Sequence, residues 1–364
     1  METLSPFMHV KRARSVALAV VGAMYAVKWT VAEIGRGMAR ARGVSPKHAI
    51  KQFDRLLSNE GFDLNDAFRA SVGFLLGGRK KIVVAIDWTD FDADDQSTVS
   101  INLITLHGRA TPLVWKTFRK SDIRDNRNSH EDEVLYLLRD ALPKGVNVIV
   151  LADRGFGSVD FYAHLKEYLG WDFVVRFRGD VKVYVDGGVV KAAELVQRGR
   201  NIIDLPSAKI TNKQFAIRVV ATHQAEMKDA WFLATSLKLA KSAIVRLYGR
   251  RFTIEESFRD LKDNRFGFAL SQATIGTPER RDRILFVISL AVALMTFIGG
   301  AAEIVGADRK IHANTVRSKR THSLLRQAHE LLFGALRSVW KLIREQFERL
   351  LAAHKHQGPI YGII

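Results

Sequence analysis

The 364-residue sequence contains no cysteine, which excludes disulfides, thiolate zinc sites and iron–sulfur clusters. It also lacks the GxxxxGK[ST] phosphate loop of nucleotide hydrolases, and the turn Gly155-Phe156-Gly157 is too short to replace it. Repeats and low-complexity tracts are absent, and no N-terminal signal peptide is recognisable. These absences favour a protein of a reducing cytoplasm that does not hydrolyse nucleotides.

Negative charge is scarce relative to positive charge. The chain carries 56 Lys and Arg against 38 Asp and Glu, which gives a net charge of +18. A balance this basic indicates a polyanionic partner, either nucleic acid or an anionic membrane surface. A hydrophobic content of 47% and a charged content of 26% are those of a folded protein, long enough here for two or three domains.

One long stretch has no charge at all. Residues 284–302 form a run of 19 uncharged residues, a length that can cross a bilayer. The run stands alone in the chain and follows a dense cationic region, and Gly299 and Gly300 interrupt it. We therefore expect the central helix of a large core, and a membrane-associated basic protein is the alternative.

Both ends of the chain are basic, and their patterns predict helices. Residues 1–60 hold ten Lys and Arg against four Asp and Glu, and residues 308–364 hold eleven against four. Ser45-Pro46 is typical of a helix start. We expect a helical DNA-binding region at 1–78, with a basic cap on the core as the alternative. A basic helical region for DNA or subunit contacts is expected at 307–364.

Between residues 79 and 306 the sequence predicts strands alternating with helices. Ile82–Ile86 is a continuous apolar run, as expected of a strand buried on both faces, and Asp87 follows it. Val146–Ala152 is a second such run, followed by Asp153. The predicted order is strand, hairpin of two strands, helix, strand, helix, strand and β-rich interval, at residues 82–86, 98–106, 110–118, 129–142, 146–152, 159–169, 172–177 and 181–236.

The stretch Tyr248–Lys262 is predicted to be one amphipathic helix. Three apolar residues at helical spacing form its core stripe, and five polar residues share roughly the opposite face. A solvated face with ion pairs between neighbouring turns is one interpretation. The other is a metal-binding carboxylate flanked by groups that bind phosphates. The stripe is Ile254, Phe258 and Leu261, and the polar residues are Tyr248, Arg251, Glu255, Arg259 and Lys262.

Three carboxylates are candidates for a metal site. Asp87 and Asp153 each follow a buried strand, and neighbouring strand ends converge where ligands bind in α/β sheets. With Glu255 they make three hard oxygen donors, which suit Mg²⁺ or Mn²⁺ better than zinc. Two such ions can support an in-line phosphoryl transfer. Nearby acidic residues are assigned to solvated loops or to another helix face: Asp90, Asp92, Asp94, Asp95 and Glu256.

Four motifs carry a resemblance to a known family. Tyr248, Arg251, Glu255 and Lys262 fit the signature Tyr-x₂-Arg-x₃-Glu-x₆-Lys without a gap. The chain resembles the DDE transposases of bacterial insertion sequences, and within them insertion-sequence family four and its cut-and-paste, hairpin-forming subgroup. The supporting segments are IDWTD at 86–90, LADRGF at 151–156, IEESFRDLK at 254–262 and HANTVR at 312–317.

The resemblance implies a fold and a catalytic site. The fold is a ribonuclease H-like mixed sheet flanked by helices at 79–306, with a β-rich insertion at about 181–236 before the glutamate helix. Asp87, Asp153 and Glu255 would bind Mg²⁺ or Mn²⁺, as two ions. The DNA-binding residues would be Tyr248, Arg251 and Lys262 at phosphates, Trp231 stacked on a flipped base, and Arg259 on the same helix face.

The implied function is cleavage of DNA at the ends of an insertion sequence, through DNA hairpins, followed by strand transfer. Its partners would be double-stranded DNA, namely terminal inverted repeats and target DNA, and a second copy of the chain in a homodimer. No nucleotide and no membrane is expected, and the protein would be cytoplasmic and nucleoid-associated. A transposase-derived DNA-binding protein without catalysis is the alternative.

Overall fold

The computed structural model describes residues 8–186, 188–265, 267–311, 320, 322–334 and 339–357. The chain forms two compact units. The first comprises residues 1–79, 88–144 and 255–364, and the second comprises residues 80–87 and 145–254. Each unit is therefore built from separate stretches of chain, and the first contains described helices from the N-terminal and the C-terminal part of the sequence.

Helices account for both termini of the described chain, as predicted. Short 3₁₀ turns occur at residues 92–94, 154–156, 192–195, 250–252 and 270–272, and a π-helical turn occurs at 164–168. The α-helices are α1 (Val10–Met24), α2 (Val31–Arg42), α3 (Pro46–Leu57), α4 (Leu64–Leu76), α5 (Lys120–Ile123), α6 (Arg127–Ala141), α7 (Val159–Ala163), α8 (Lys241–Gly249), α9 (Thr253–Lys262), α10 (Pro278–Ile304), α11 (Asp308–Ile311), α12 (Leu324–Phe333) and α13 (Trp340–Gln357).

The described strands form one mixed sheet. They are β1 (Lys81–Phe91), β2 (Gln96–Ile104), β3 (Ala110–Arg119), β4 (Asn147–Ala152), β5 (Asp172–Phe177), β6 (Lys182–Val185), β7 (Gly188–Lys191), β8 (Ile203–Ile210), β9 (Phe215–Thr222) and β10 (Trp231–Thr235). Their order is β3-β2-β1-β4-β5-β10-β9-β8-β6-β7. The mixed sheet flanked by helices is confirmed, and each strand predicted before residue 178 occurs. The ends shift by at most two residues except in β1, which continues to Phe91, so the expectation that Asp87 follows this strand is wrong and Asp87 lies within it.

The second unit is organised around parallel strands. β4 pairs in parallel with both β1 and β5, and its apolar residues Val148–Ala152 are buried. This burial explains the continuous apolar run, because a parallel strand is covered on both faces. The predicted β-rich interval supplies β6 to β10, and β10 pairs antiparallel with β5, so the interval extends the same sheet.

The long apolar run forms the core of the first unit. It lies in α10, which packs against α1, α3, α4, β3, α12 and α13. Among the described residues α10 alone is long and apolar enough to cross a membrane, and 78% of its most apolar 18-residue window is buried inside the protein. This burial agrees with the expected core helix, since neighbouring elements of the unit cover its apolar surface.

The first three helices pack at close range through glycine. A Cβ atom on Gly37 of α2 would lie 2.0 Å from the carbonyl oxygen of Gly22 in α1. A Cβ atom on Gly35 would lie 2.6 Å from the Cα atom of Ile50 in α3. Since no larger residue fits at these contacts, glycine fixes the positions of α1 and α3 against α2.

Candidate active site

Asp87 and Asp153 lie at corresponding positions of two neighbouring strands in the second unit, Asp87 within β1 and Asp153 directly after β4. The parallel register pairs Ile86 of β1 with Ala152 of β4, so each aspartate is the next residue after a paired position. Both side chains are half-buried. The sheet therefore brings the two predicted strand-end carboxylates to one edge, as expected from the two apolar runs.

Asp153 is held by the turn that follows it. Its Oδ1 atom accepts a hydrogen bond of 2.7 Å from the backbone N–H of Gly155, and it caps the 3₁₀ turn Arg154–Phe156. Gly157 ends this turn, and a Cβ atom there would lie 2.9 Å from the carbonyl oxygen of Arg176 in β5. Gly157 thus permits the close packing of the turn against β5, and the Gly155 N–H holds the Asp153 carboxylate.

Asp87 is paired with Arg251 in the same unit. Arg251 Nη1 donates a hydrogen bond of 3.2 Å to Oδ2 of Asp87. The side chains are 7% and 19% exposed, respectively, so the ion pair is largely shielded from solvent. A shielded pair interacts more strongly than a surface pair, but desolvation of both charges offsets part of that gain.

The predicted single helix Tyr248–Lys262 is interrupted. α8 ends at Gly249, the 3₁₀ turn Arg250–Phe252 follows, and α9 begins at Thr253. Glycine has a low helix propensity, and the Thr253 hydroxyl donates a 2.8 Å hydrogen bond to the carbonyl oxygen of Arg250, which favours the break. The expectation of one continuous face is therefore wrong, and the signature residues lie on α8, the turn and α9.

An aromatic cluster surrounds the beginning of this interruption. Trp231 of β10 contacts Tyr248 edge to face at a centroid distance of 4.9 Å, and Phe252 at 5.8 Å. Tyr248 is 1% exposed, and burial is the main cause that raises its pKa. Phe252 is 40% exposed and lies 4.9 Å from the guanidinium of Arg251. Within this cluster Phe252 is exposed to solvent, Trp231 is partly exposed and Tyr248 is buried.

Sequence reasoning did not select Phe252 as a site residue. In a continuous helix Phe252, four residues after Tyr248, would lie about 40° from it and therefore on roughly the same face. In the structure Phe252 lies in the 3₁₀ turn, and its ring is 5.8 Å from that of Trp231. The available signal was the spacing of four residues between Tyr248 and Phe252, which places two aromatic side chains on one helix face.

α9 is anchored to the β2–β3 hairpin in the first unit. The Ser257 hydroxyl accepts a 2.7 Å hydrogen bond from the Ala110 N–H and donates one of 3.0 Å to the Ala110 carbonyl. Arg109 Nε donates to Asp260 across 2.7 Å. These contacts fix α9, whose first turn carries the exposed Glu255. The sequence analysis missed both Ser257 and Asp260, because their partners are about 150 residues earlier.

The two cations of α9 have different surroundings. Arg259 is exposed and forms an ion pair with Glu256 on the preceding turn, which is the solvated arrangement considered for this helix. Lys262 is half-buried, and its Nζ donates to Thr89 Oγ1 at 3.1 Å and to the Asp90 carbonyl. Burial is the main cause that lowers the Lys262 pKa. Lys262 is therefore held against the segment just after Asp87.

A buried ion pair supports the segment that holds Lys262. Phe91 lies between two cations, with Lys262 Nζ 5.0 Å and the Arg281 guanidinium 3.9 Å from its ring centroid. Arg281 is fully buried, binds Asp94 and donates a 2.8 Å hydrogen bond to Gln96. Arg281 of α10 thus stabilises residues 89–96, although it lies outside every predicted motif.

The donor chemistry of this region suits a hard divalent cation. Asp87 and Asp153 offer carboxylate oxygens from the residues that follow the last paired position of β1 and β4, and oxygen is the ligand type that Mg²⁺ and Mn²⁺ prefer. Within the described part of the chain, no group of three His, Asp or Glu side chains has metal-binding spacing. Of the predicted site, the pairing of β1 with β4 therefore fixes the positions of the two aspartates.

The model of the protein family described as Transposase DDE domain matches residues 78–274, more than half of the chain. The chain belongs to the DDE transposase family. The match includes every predicted site residue, from Asp87 to Lys262. No curated protein matches the chain. The HANTVR segment, at 312–317, lies outside the described residues.

Family membership agrees with the architecture of this DDE transposase. The order β3-β2-β1-β4-β5 within a mixed sheet, with helices at both termini, is consistent with a ribonuclease H-like fold. DDE transposases act on DNA and generally use divalent metal ions. The enzyme class, the DNA partner and the use of a divalent cation follow from the family.

Proposed function

We propose that this transposase is catalytically active and moves an insertion sequence by a cut-and-paste pathway through DNA hairpins. The proposal rests on the in-register pair Asp87 and Asp153, which follow paired residues of parallel strands inside the family match. With Glu255 they would hold two Mg²⁺ ions, with Mn²⁺ as a substitute. Such ions activate the attacking oxygen and stabilise the leaving oxygen of a phosphoryl transfer.

The other signature residues would handle the DNA strands. Arg251 and Lys262 would contact phosphates beside the cleaved bond, and Arg259 and Tyr248 would contribute to the same DNA surface. Trp231, with Phe252 as its exposed neighbour, would stack on a base flipped out of the duplex. For Tyr248 the contribution is support of Trp231, because its own side chain is buried.

The partners and the location follow from this activity. The DNA substrates would be the terminal inverted repeats of the element and a target duplex, bound by residues 1–78 and 307–364 and by the catalytic region at 79–306. A homodimer would hold two element ends. The protein would work as a soluble, nucleoid-associated protein of the bacterial cytoplasm.

The deciding experiment is an Mg²⁺-dependent cleavage assay with DNA that carries the sequences flanking the gene. We expect nicks and hairpins at the element ends with Mg²⁺ or Mn²⁺, and neither product with EDTA. A protein that binds these ends tightly but yields no cleavage with either ion would support the alternative, a transposase-derived DNA-binding protein. The intact set of three carboxylates favours catalysis, since a binding module does not need them.

A further inference from the structure

A large cleft lies between α1 and α3 in the first unit. Its volume is about 810 Å³, and it is open to solvent. It lies outside the residues that match the transposase domain. Its walls come from the beginning of α1, from most of α3 and from the residues that follow α3. They are His9, Lys11, Arg12, Ser15, Lys47, His48, Lys51, Gln52, Arg55, Leu56 and Asn59.

Every formal charge on the walls is positive. The cleft contains five Lys and Arg side chains and two histidines, and no carboxylate. Within the described ranges none of the five cations forms an ion pair, whereas most other arginines of α2 to α4 have a bonded partner. Asp54 is the sole acidic residue of α3, and it is bound to Arg280 at 2.6 Å, outside the cleft lining. The positive charge of the cleft is therefore not compensated from within α3.

The first turns of both helices add to this positive field. Helix N-termini carry a partial positive charge and exposed N–H groups, which acidic residues normally offset. α1 and α3 have no acidic residue in the first turn, and Ser45 makes no side-chain cap for α3. Lys11, Lys47 and His48 occupy these turns instead. Cations in a first turn are unfavourable for a helix alone, so a bound anion would relieve this repulsion.

The cleft is preformed rather than flexible. Its two helices are held by α2 through the glycine contacts at Gly22, Gly35 and Gly37, which permit backbone approach but leave no space for adjustment. The Arg12 guanidinium lies over Gly61, where a Cβ atom would be 2.5 Å from its Nη2. Because the helices that carry the cations are fixed, only side chains have to be ordered when the cleft binds a regular polyanion.

We propose that this cleft binds the phosphate backbone of duplex DNA, without reading its sequence. The inference rests on the proposed function, which supplies DNA as the partner, and it assigns the contact to a defined set of residues. Lysines, arginines and helix N-termini recognise phosphates, whereas the uncharged side chains best suited to base edges, Ser15, Gln52 and Asn59, are each hydrogen-bonded within the protein. The cleft should therefore contribute affinity equally on element ends and on unrelated DNA.

The test compares two triple variants that lose the same charge. The cleft variant is Lys11→Gln, Lys51→Gln and Arg55→Gln. The control is Arg36→Gln, Arg40→Gln and Arg69→Gln, which removes three exposed cations of α2 and α4 outside the cleft. The affinity of the full chain is measured by fluorescence anisotropy on a random duplex of about 20 base pairs and on one that carries the flanking sequences. The readout is the slope of log Kd against log salt concentration.

Removal of one cation that binds a phosphate should reduce that slope by about 1, so we expect a decrease of about 3 for the cleft variant and of less than about 1 for the control. The decrease should be the same on both duplexes. Lys11→Arg, Lys51→Arg and Arg55→Lys together should retain the wild-type slope. If the cleft triple variant does not fold, Lys51→Gln alone should lower the slope by about 1.

Equal slopes for the cleft variant and the control would overturn the proposal. A change restricted to the flanking-sequence duplex would also overturn it, since it would indicate base readout. Failure of the proposed function looks different. In that case the wild-type chain would not cleave DNA with Mg²⁺, whether or not the slopes of the two triple variants differ.

Discussion

Arg251 and Asp87 are bound to each other, with Nη1 of the arginine 3.2 Å from Oδ2 of the aspartate. In the proposed mechanism the aspartate would bind a cation and the arginine a DNA phosphate. Both side chains are largely shielded from solvent. To take up their proposed roles, Asp87 would replace part of its contact with Arg251 by a contact with the cation, and Arg251 would replace part of it by a contact with a phosphate. Cation binding at Asp87 would thus release Arg251 for DNA, which couples the two events.

The carboxylates are tested by neutral substitutions. Asp87→Asn, Asp153→Asn and Glu255→Gln should each abolish Mg²⁺-dependent cleavage and leave DNA affinity nearly unchanged, because a cation ligand is removed while the basic surface remains. The assay combines cleavage of labelled DNA with an affinity titration. Glu256→Gln, at the residue adjacent to Glu255, is the control and should cleave normally. Near-normal cleavage by any of the three variants would remove that residue from the site.

The aromatic cluster and Arg251 should matter most for hairpin formation. Trp231→Ala and Arg251→Ala enzymes should nick DNA but accumulate nicked product, since bending a strand into a hairpin needs the flipped base. A stacking loss of about 1–3 kcal/mol slows this step roughly 5- to 150-fold. A denaturing gel of an end-labelled substrate over time separates the products. Trp231→Phe should retain most hairpin formation. An equal loss of nicking and hairpins would assign both residues to general binding or folding.

Asp282 should make stability depend on pH. It is buried in α10, accepts a 2.6 Å hydrogen bond from the Thr117 hydroxyl, and burial raises its pKa to about 7. In the unfolded chain the carboxyl ionises near its ordinary pKa of 3.8, so unfolding releases a proton between about pH 4 and 7. The contribution of Asp282 to stability is therefore fully present below about pH 4 and is lost as the pH rises through about 7.

Asp282→Asn isolates this effect, because the amide is neutral and can still accept from Thr117. The unfolding midpoint in urea is measured for both proteins at about pH 5 and about pH 8, on either side of the folded-state pKa. The wild type should lose more stability than the variant between the two values, by at most about 3 kcal/mol. Parallel changes in both proteins would show that Asp282 does not titrate in this range.

The glycine contact between α1 and α2 gives a prediction about folding. Gly37→Ala would place a methyl group 2.0 Å from the backbone oxygen of Gly22, so the helices must separate, at a cost of about 1–3 kcal/mol. Gly73→Ala in α4 is the matched control, since no atom lies within 4 Å of its Cβ position. It should stabilise the protein by about 0.5–1 kcal/mol through helix propensity. Thermal unfolding checks both, and equal effects would contradict the tight contact.

The sequence predicted the sheet well because its signals are local. The apolar runs before Asp87 and Asp153 mark parallel strands buried on both faces, and strand polarity then brings both aspartates to one edge. The pairing of β10 with β5 could not be predicted from local sequence signals. It joins residues roughly 60 positions apart, and neither segment carries a signal that selects its partner.

For the segment with the signature residues, by contrast, local sequence signals predicted the wrong structure. Periodicity alone predicted one continuous helix, but Gly249 and the contact of Arg251 with Asp87, 164 residues away, favour a 3₁₀ turn instead. Burial of Tyr248 and support of Lys262 through Phe91 and Arg281 also depend on partners far along the chain. Spacing identifies the candidates, whereas the long-range contacts decide which of them face solvent.

The position of α10 in the first unit has a consequence for synthesis on the ribosome. α1, α3 and α4, which cover part of this helix, are made before it, whereas α12 and α13 are made after it. When residues 278–304 leave the ribosome, the apolar surface that α12 and α13 will cover is still bare. The whole second unit has been translated by then, so it can fold first. The nascent chain therefore passes through a stage in which apolar surface of α10 is exposed, and a chain that stops after α10 should aggregate rather than form a shorter enzyme.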